Sequence, residues 1–210
     1  MSLAQTERAA LADLFGTLGP DQPTLCEGWD TRDLLIHLLI RERSPLGAIG
    51  NRVSALNSFT EKAAADYAAR PWAELIEEYR SGPPVWNPTT WGKLDDLTNS
   101  GEMFIHHEDA RRGQIGWQPR EFDAATGHEL IRMVESGLSR LAVRSSAVGV
   151  VAVVPGAAEP VTLKKGEPIV TLAGEAGEIV LWLSGRDACR VEMTGDDAAV
   201  ATLRKVKRGV

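Results

Sequence analysis

The feature that most constrains the fold is a change in residue pattern near Ser145. Before it, apolar residues recur at helical spacing in several segments, as in residues 3–18, which a Gly-Pro pair ends. After it, the β-branched run at 148–154 is followed by Pro-Gly, which is typical of a strand. A chain of 210 residues has room for one full domain and a smaller one. The pattern therefore predicts a helical domain over residues 1–144 and a small α+β domain over residues 145–210.

Local signals divide both parts into elements. Asp30 or Thr31 is expected to cap the second helix, and Pro71 is expected to open a later one. Several amphipathic helices joined by short connections predict a helical bundle. The further predicted helices are 61–69, 94–112, 122–141, 175–183 and 196–205, and the predicted strands are 148–154, 161–163, 169–172 and 190–193.

Composition excludes several classes of protein. The formal net charge of −6 argues against a nucleic-acid binder, which would usually be basic. The two cysteines, Cys26 and Cys189, rule out a disulfide scaffold and fit a reducing cytosol. No apolar run approaches the roughly 20 residues that span a membrane, and the N-terminus lacks the layout of a signal peptide. We therefore expect a cytoplasmic protein with neither a nucleic-acid nor a membrane partner.

Two histidines and one glutamate form a candidate metal site. Glu102 and His106 are four residues apart, so on a helix they share one face and both reach a single ion. His37, inside the apolar helical segment at 34–39, is the leading third ligand from a facing helix. Two imidazoles and a carboxylate are an open ligand set that catalytic zinc uses. The same set also suits Fe(II), Mn(II) or Ni(II).

These patterns also have structural interpretations. A histidine on an apolar helix face is more often a core residue with a satisfied hydrogen bond, and the E-x-x-x-H spacing often occurs by chance. His107 is a competing ligand, about 100° further round the helix. His107, Glu108 and Asp109 are candidates to orient the metal ligands from outside. We expect His128 to be exposed.

Three segments resemble one known family. Residues 23–38 (PTLCEGWDTRDLLIHL) and residues 101–112 (GEMFIHHEDARR) resemble signature segments of the mycothiol-dependent maleylpyruvate isomerase family, whose members are DinB-like metal-binding four-helix bundles. The family's small C-terminal α+β domain is distantly similar to sterol carrier proteins, and residues 178–186 (EIVLWLSGR) resemble its Trp-x-x-Gly-Arg segment. The resemblance implies the α+β class: an N-terminal DinB-like four-helix bundle followed by a small C-terminal α+β domain resembling sterol carrier proteins.

The resemblance also implies a ligand set and a cofactor. In the family, the histidine of the first segment and the glutamate and histidine of the second bind a divalent metal, usually taken as zinc. Carried across, these residues are His37, Glu102 and His106, the trio that the spacing indicates. Mycothiol, a low-molecular-weight thiol, is implied as the second cofactor by the resemblance alone.

Arginines are the candidates for binding anionic groups, because a guanidinium binds a carboxylate through two parallel hydrogen bonds. Arg186 is the candidate cofactor-binding residue, and the alternative is that it complements a helix dipole. Arg41, Arg43, Arg111 and Arg112 are further candidates, and each also fits a surface or capping charge.

Two features of the predicted loops remain open. Cys26 precedes a helix N-terminus, where a thiolate would be stabilised. It is therefore a candidate for a reactive thiol or for a neighbour of the metal site. We interpret Cys26 as a small buried loop residue. Trp86 and Trp91 indicate a loop at the mouth of the bundle, with simple loop packing as the other interpretation.

The sequence therefore predicts a metal-dependent transferase or isomerase that activates a low-molecular-weight thiol. Its partners would be that thiol and a small electrophilic substrate, on which the thiolate acts by transfer or by addition and elimination. The alternative is a non-catalytic, metal-stabilised binding or stress-response module with a closed ligand shell. His107 or Asp109 would then be the first candidate for the fourth ligand. The substrate and the oligomeric state stay open, a homodimer being one option.

Overall fold

The computed structural model describes residues 2–43, 57–84 and 93–209. The predicted loop with Trp86 and Trp91 lies outside these ranges. The chain divides into two compact units, Met1–Trp117 and Gln118–Val210. In the described residues, no helix is both long and apolar enough to cross a membrane.

The first unit is built from helices. They are α1 (Leu3–Leu18), α2 (Thr31–Arg43), α3 (Asn57–Ala68), α4 (Trp72–Arg80) and α5 (Lys93–Arg112). Helix α1 packs against α4 and α5, and α2 packs against α3 and α4. Their apolar faces meet in one core, because burying these faces is the main stabilising contribution to such a unit. Fully buried members of this core include Leu11, Phe15, Leu34, Leu38, Tyr79 and Met103.

Side-chain caps fix where the first two helices begin. The Ser2 hydroxyl accepts a hydrogen bond from the Gln5 backbone N–H at the start of α1. At α2 the cap is Asp30, whose Oδ1 accepts from the Asp33 backbone N–H at 2.9 Å. The Thr31 hydroxyl instead donates to the Gly19 carbonyl at 2.6 Å. This settles the choice between Asp30 and Thr31 that the sequence left open.

The second unit combines helices with a small mixed sheet. Its elements are α6 (Ala124–Glu135), α7 (Gly137–Ala142), β1 (Gly149–Val153), β2 (Val161–Lys164), β3 (Ile169–Ala173), α8 (Ala176–Leu183), β4 (Glu192–Thr194) and α9 (Asp197–Arg204). The strand order is β2-β1-β3-β4. Strands β1 and β3 are parallel, and the two outer pairings are antiparallel. A helical unit followed by a mixed sheet with helices confirms the predicted α+β class.

The division between the units differs from the predicted domains 1–144 and 145–210, because it falls after Trp117. The predicted helix 122–141 is broken at Ser136, which ends α6 and whose hydroxyl caps α7. Both pieces pack against α8 and β2 of the second unit. An amphipathic pattern shows that a helix buries one face but carries no information about which partner covers it.

Candidate metal centre

A short loop before α2 is held against the end of α5. Its two ends meet in an antiparallel bridge between Pro23 and Asp30. The Leu25 backbone N–H donates to the Asp109 carbonyl at 3.0 Å, and Gln114 Nε2 donates to the Pro23 carbonyl at 2.8 Å. These hydrogen bonds place the loop's side chains beside the polar face of α5.

The structure brings the three predicted metal ligands together. His37 comes from α2, Glu102 and His106 come from α5, and one ligand atom of each lies within 4.8 Å of the others. His106 Nε2 is 3.4 Å from Glu102 Oε2, and the two imidazole centroids are 5.3 Å apart. The Trp29 ring lies 5.0 Å from the His37 ring and packs that side of the cluster.

The donor set fits a divalent metal. Zinc ligands of these types lie about 2 Å from the ion, so two of them are at most about 4 Å apart. The three ligand atoms lie within 4.8 Å of one another, so their separations are close to that limit. Imidazole nitrogen and carboxylate oxygen suit zinc, and they also suit the other divalent ions predicted from the sequence.

Burial and neighbouring charges set the protonation of the trio. Burial, with the nearby His106, lowers the pKa of His37 to about 4. Burial alone would raise the pKa of Glu102, but the hydrogen bond to His106 and the charge of Arg41 lower it to about 2. At neutral pH His37 thus keeps a free lone pair and Glu102 is a carboxylate, the forms in which both bind metals.

His106 is held differently. Burial opposes its charged form, but hydrogen bonds to Asp109, Cys26 and Glu102 raise its pKa well above the usual value. A cation at its Nε2 therefore competes with a proton, and metal binding releases that proton.

Cys26 lies beside this centre. Its thiol donates to Asp109 Oδ2 at 3.2 Å, and its sulfur is 4.0 Å from His106 Nδ1. Cys26 is half-buried, and together with His106 and Asp109 it forms a second group of possible ligands that shares His106 with the first. Cys26 is a partly buried loop residue that packs against the helical core. It is also a neighbour of the candidate metal site, the alternative that the sequence left open.

Of the three residues expected to orient the ligands, Asp109 faces the trio. Its Oδ2 is 2.9 Å from His106 Nδ1. His107 instead places its Nδ1 2.7 Å from Glu7 on α1, and Glu108 forms ion pairs with arginines of its own helix. The sequence left His107 open as a competing metal ligand. The structure does not place it in the cluster of His37, Glu102 and His106. His128 is exposed, as predicted.

The candidate arginines occupy different surroundings. Arg41 lies at the trio, with Nε 3.5 Å from Glu102 Oε2 and Nη1 donating to Asn99 Oδ1 at 3.0 Å. Arg43 donates to the carbonyls at the end of α4, a structural role. Arg186 donates to the Ser184 carbonyl at 2.6 Å. That contact at the end of α8 matches the helix-dipole alternative, and cofactor binding by Arg186 stays a prediction.

Comparisons with known proteins agree with this architecture. Residues 4–85 match the family model described as "Mycothiol maleylpyruvate isomerase N-terminal domain". No curated protein sequence matches the chain. Two solved structures are similar: the mycothiol-dependent maleylpyruvate isomerase and a histidine-to-alanine mutant of it. Each is 18% identical over 91% of this chain and 90% of the other, with a TM-score of 0.52.

The matches confirm the resemblance predicted from residues 23–38. Residues 4–85 match the model of that family's N-terminal domain, and the solved structures show that a similar fold extends over most of the chain. His37 lies within the matched segment, whereas Glu102 and His106 lie outside it. The roles of all three as metal ligands therefore stay a prediction, to which the geometry adds support.

Proposed function

We propose that this protein is a metal-dependent enzyme that activates a low-molecular-weight thiol at His37, Glu102 and His106 for thiol transfer or isomerisation. The observation that carries the proposal is the convergence of the three ligand atoms within 4.8 Å. Zinc is the metal we propose, because it accepts this donor set and leaves a position open. Mycothiol is the proposed thiol, and the family match over residues 4–85 supports it.

The chain's own residues would prepare the centre for an incoming thiol. A bound divalent metal stabilises the thiolate form of a coordinating thiol near neutral pH. His37 and Glu102 are held in their metal-binding protonation states. The Glu102 side chain is 37% exposed whereas that of His106 is 11% exposed, so the cluster has a solvent-facing side at Glu102.

Arg41 adds a positive charge at this solvent-facing side. Its Nε lies 3.5 Å from Glu102 Oε2, and its side chain is 14% exposed. A guanidinium in this position favours substrates or thiols that carry a carboxylate. This fits an acid among the small electrophilic substrates predicted from the sequence.

The contacts of His107 and Asp109 support the enzyme over the non-catalytic module. A structural zinc site has a closed shell of four protein ligands. The two residues predicted as a fourth ligand have other contacts: His107 pairs with Glu7, and Asp109 contacts the Nδ1 side of His106. An open position on the ion is what the binding of a thiol requires.

Cobalt substitution tests the proposal. Cobalt(II) replaces zinc and absorbs visible light according to its ligands, so we expect the spectrum of the loaded protein to change when mycothiol is added. His37→Ala and His106→Ala should each lose cobalt, while His128→Ala, the replacement of an exposed histidine, should bind as the wild type does. A loaded protein whose spectrum ignores thiols has a closed shell and refutes the enzyme. Unchanged metal content in His37→Ala and His106→Ala refutes the site itself.

A further inference from the structure

We infer that Asp109 and Cys26 are positioning residues that fix which nitrogen of His106 is available to a metal. The Asp109 carboxylate accepts the Nδ1–H of His106, and the Cys26 thiol holds that carboxylate in place. Nε2 is then left facing Glu102 and His37. The inference rests on the proposed metal site, and it adds two residues that act through His106.

The distances support this chain of hydrogen bonds. Asp109 Oδ2 is 2.9 Å from His106 Nδ1 and 3.2 Å from Cys26 Sγ, and the Asp109 side chain is fully buried. An ionised carboxylate can only accept hydrogen bonds, and a neutral imidazole has one N–H and one lone pair. In the neutral form of His106 that binds a metal, the one proton must therefore sit on Nδ1 and the lone pair on Nε2. Metal-binding histidines are commonly oriented by a carboxylate in this way.

The loop supplies the thiol at a defined place. The Cys26 backbone N–H donates to Thr24 Oγ1 at 3.1 Å, and the Leu25 N–H donates to the backbone carbonyl of Asp109. Asp109 thus contacts the loop through both its backbone and its side chain. Because the same residue anchors the loop and orients His106, loop position and ligand orientation are coupled.

The same three side chains have a competing interpretation as a second metal site. Cys26, His106 and Asp109 have donor atoms close enough to share an ion. An ion there would occupy Nδ1 of His106 while the first ion occupies Nε2, so the imidazole would have to lose both protons. The observed separations of 2.9 and 3.2 Å are those of hydrogen bonds to one carboxylate oxygen. We therefore favour the positioning role. The number of cobalt ions bound by each chain distinguishes the two interpretations.

The test uses the full chain with Asp109→Asn, Cys26→Ala and Cys26→Ser. Asp109→Asn should weaken zinc binding about 10- to 100-fold, the usual effect of removing a partner that orients a metal ligand. Cys26→Ala should weaken it less. Cys26→Ser should restore the wild-type affinity because a hydroxyl also donates to Asp109. Zinc affinity is measured by competition with a chelator.

A second readout separates positioning from a general structural role. In NMR spectra of histidine-labelled protein, the Nδ1–H proton of His106 should be protected from exchange in the wild type, with or without zinc. Asp109→Asn should lose that protection. A residue with only a structural role would lower the unfolding midpoint without moving this resonance.

The outcomes are distinct. Wild-type zinc affinity and an unchanged Nδ1–H signal in Asp109→Asn overturn the inference. So do two bound cobalt ions in the wild type, with a sulfur-to-cobalt absorption band that Cys26→Ser abolishes. A wild type that binds no metal but has an Asp109-dependent Nδ1–H signal refutes the proposed function and supports the orientation of His106.

Discussion

Replacing Gly113 by alanine should disturb the metal centre from outside it. Gly113 directly follows α5 and lies under the loop that carries Cys26. A Cβ at this position would be 2.3 Å from the Pro23 carbonyl oxygen and 2.7 Å from the Thr24 Cα. Ordinary contacts begin at 3.4 Å, so the loop backbone must retreat by about 1 Å. Because these atoms are backbone, no side-chain rotation relieves the overlap.

The magnitude follows from that displacement. The sulfur of Cys26 is 3.2 Å from Asp109 Oδ2, so a retreat of about 1 Å takes it beyond hydrogen-bond distance. Overpacking of this kind costs about 1–3 kcal/mol of unfolding free energy. We expect the urea midpoint of Gly113→Ala to fall accordingly. Its zinc affinity should fall towards that of Cys26→Ala, since both variants lose the thiol contact.

Gly16→Ala is the matched control. Gly16 lies within α1, and apart from the adjacent backbone of its own helix a Cβ there would have no atom within 4 Å. Alanine in place of a glycine inside a helix stabilises by about 0.5–1 kcal/mol. The two variants should therefore move the urea midpoint in opposite directions, and Gly16→Ala should leave zinc affinity unchanged. If Gly113→Ala is as stable as Gly16→Ala and binds zinc as the wild type does, the coupling of loop and site is refuted.

Three further predictions concern stability. Glu42→Ala should cost about 1.5–3 kcal/mol in urea unfolding. The part-buried guanidinium of Arg8, now bonded to Glu42 Oε2 at 2.7 Å, loses its carboxylate partner and keeps the Tyr79 carbonyl as an acceptor; an effect near zero would contradict this. Asp196→Ala removes the side chain that caps α9 through two backbone N–H groups at 3.0 and 3.1 Å; it should cost about 1 kcal/mol and leave zinc affinity unchanged. At 100 times its dissociation constant, zinc should stabilise the wild type by about 2.7 kcal/mol, a shift that a chelator reverses. Stabilisation of His37→Ala by the same zinc concentration would argue against the trio.

The candidate site was largely predictable because its signals are local. Glu102 and His106 share a helix face by their spacing alone, and residues 23–38 resemble a family segment that contains His37. The structure places all three together. The conformation of the loop before α2 could not be predicted, because its sequence has no periodic pattern. The contact of Cys26 with Asp109 depends on that conformation.

The role of Asp109 is partly predictable from the sequence. This residue follows His106 by three residues, a spacing at which helical side chains touch. The sequence indicated three candidates to orient the metal ligands, namely Asp109, His107 and Glu108. Periodicity could not choose among them, because the choice depends on which neighbouring elements cover each face. Glu7 on α1 contacts His107, and the loop before α2 covers Asp109.

The fold was predictable at the level of elements and less so at the level of units. The strand and helix signals after Ser145 correspond closely to β1–β4, α8 and α9. The helices at 122–141 were assigned to the bundle because their pattern is helical. Their buried residues, such as Leu130 and Met133, belong to the second unit instead. Partner choice depends on long-range packing, which no window of sequence contains.

X-ray absorption spectroscopy of the zinc-loaded protein, without and with mycothiol, tests the central claim most directly. Without thiol, we predict a zinc shell of nitrogen and oxygen neighbours at about 2 Å, including two imidazoles, His37 and His106, with no sulfur. Adding mycothiol should introduce one sulfur neighbour at about 2.3 Å. The His37→Ala protein should show neither the nitrogen and oxygen shell nor the added sulfur. A sulfur neighbour before thiol is added would place Cys26 on the metal. A shell that thiol leaves unchanged would contradict thiol activation at this centre.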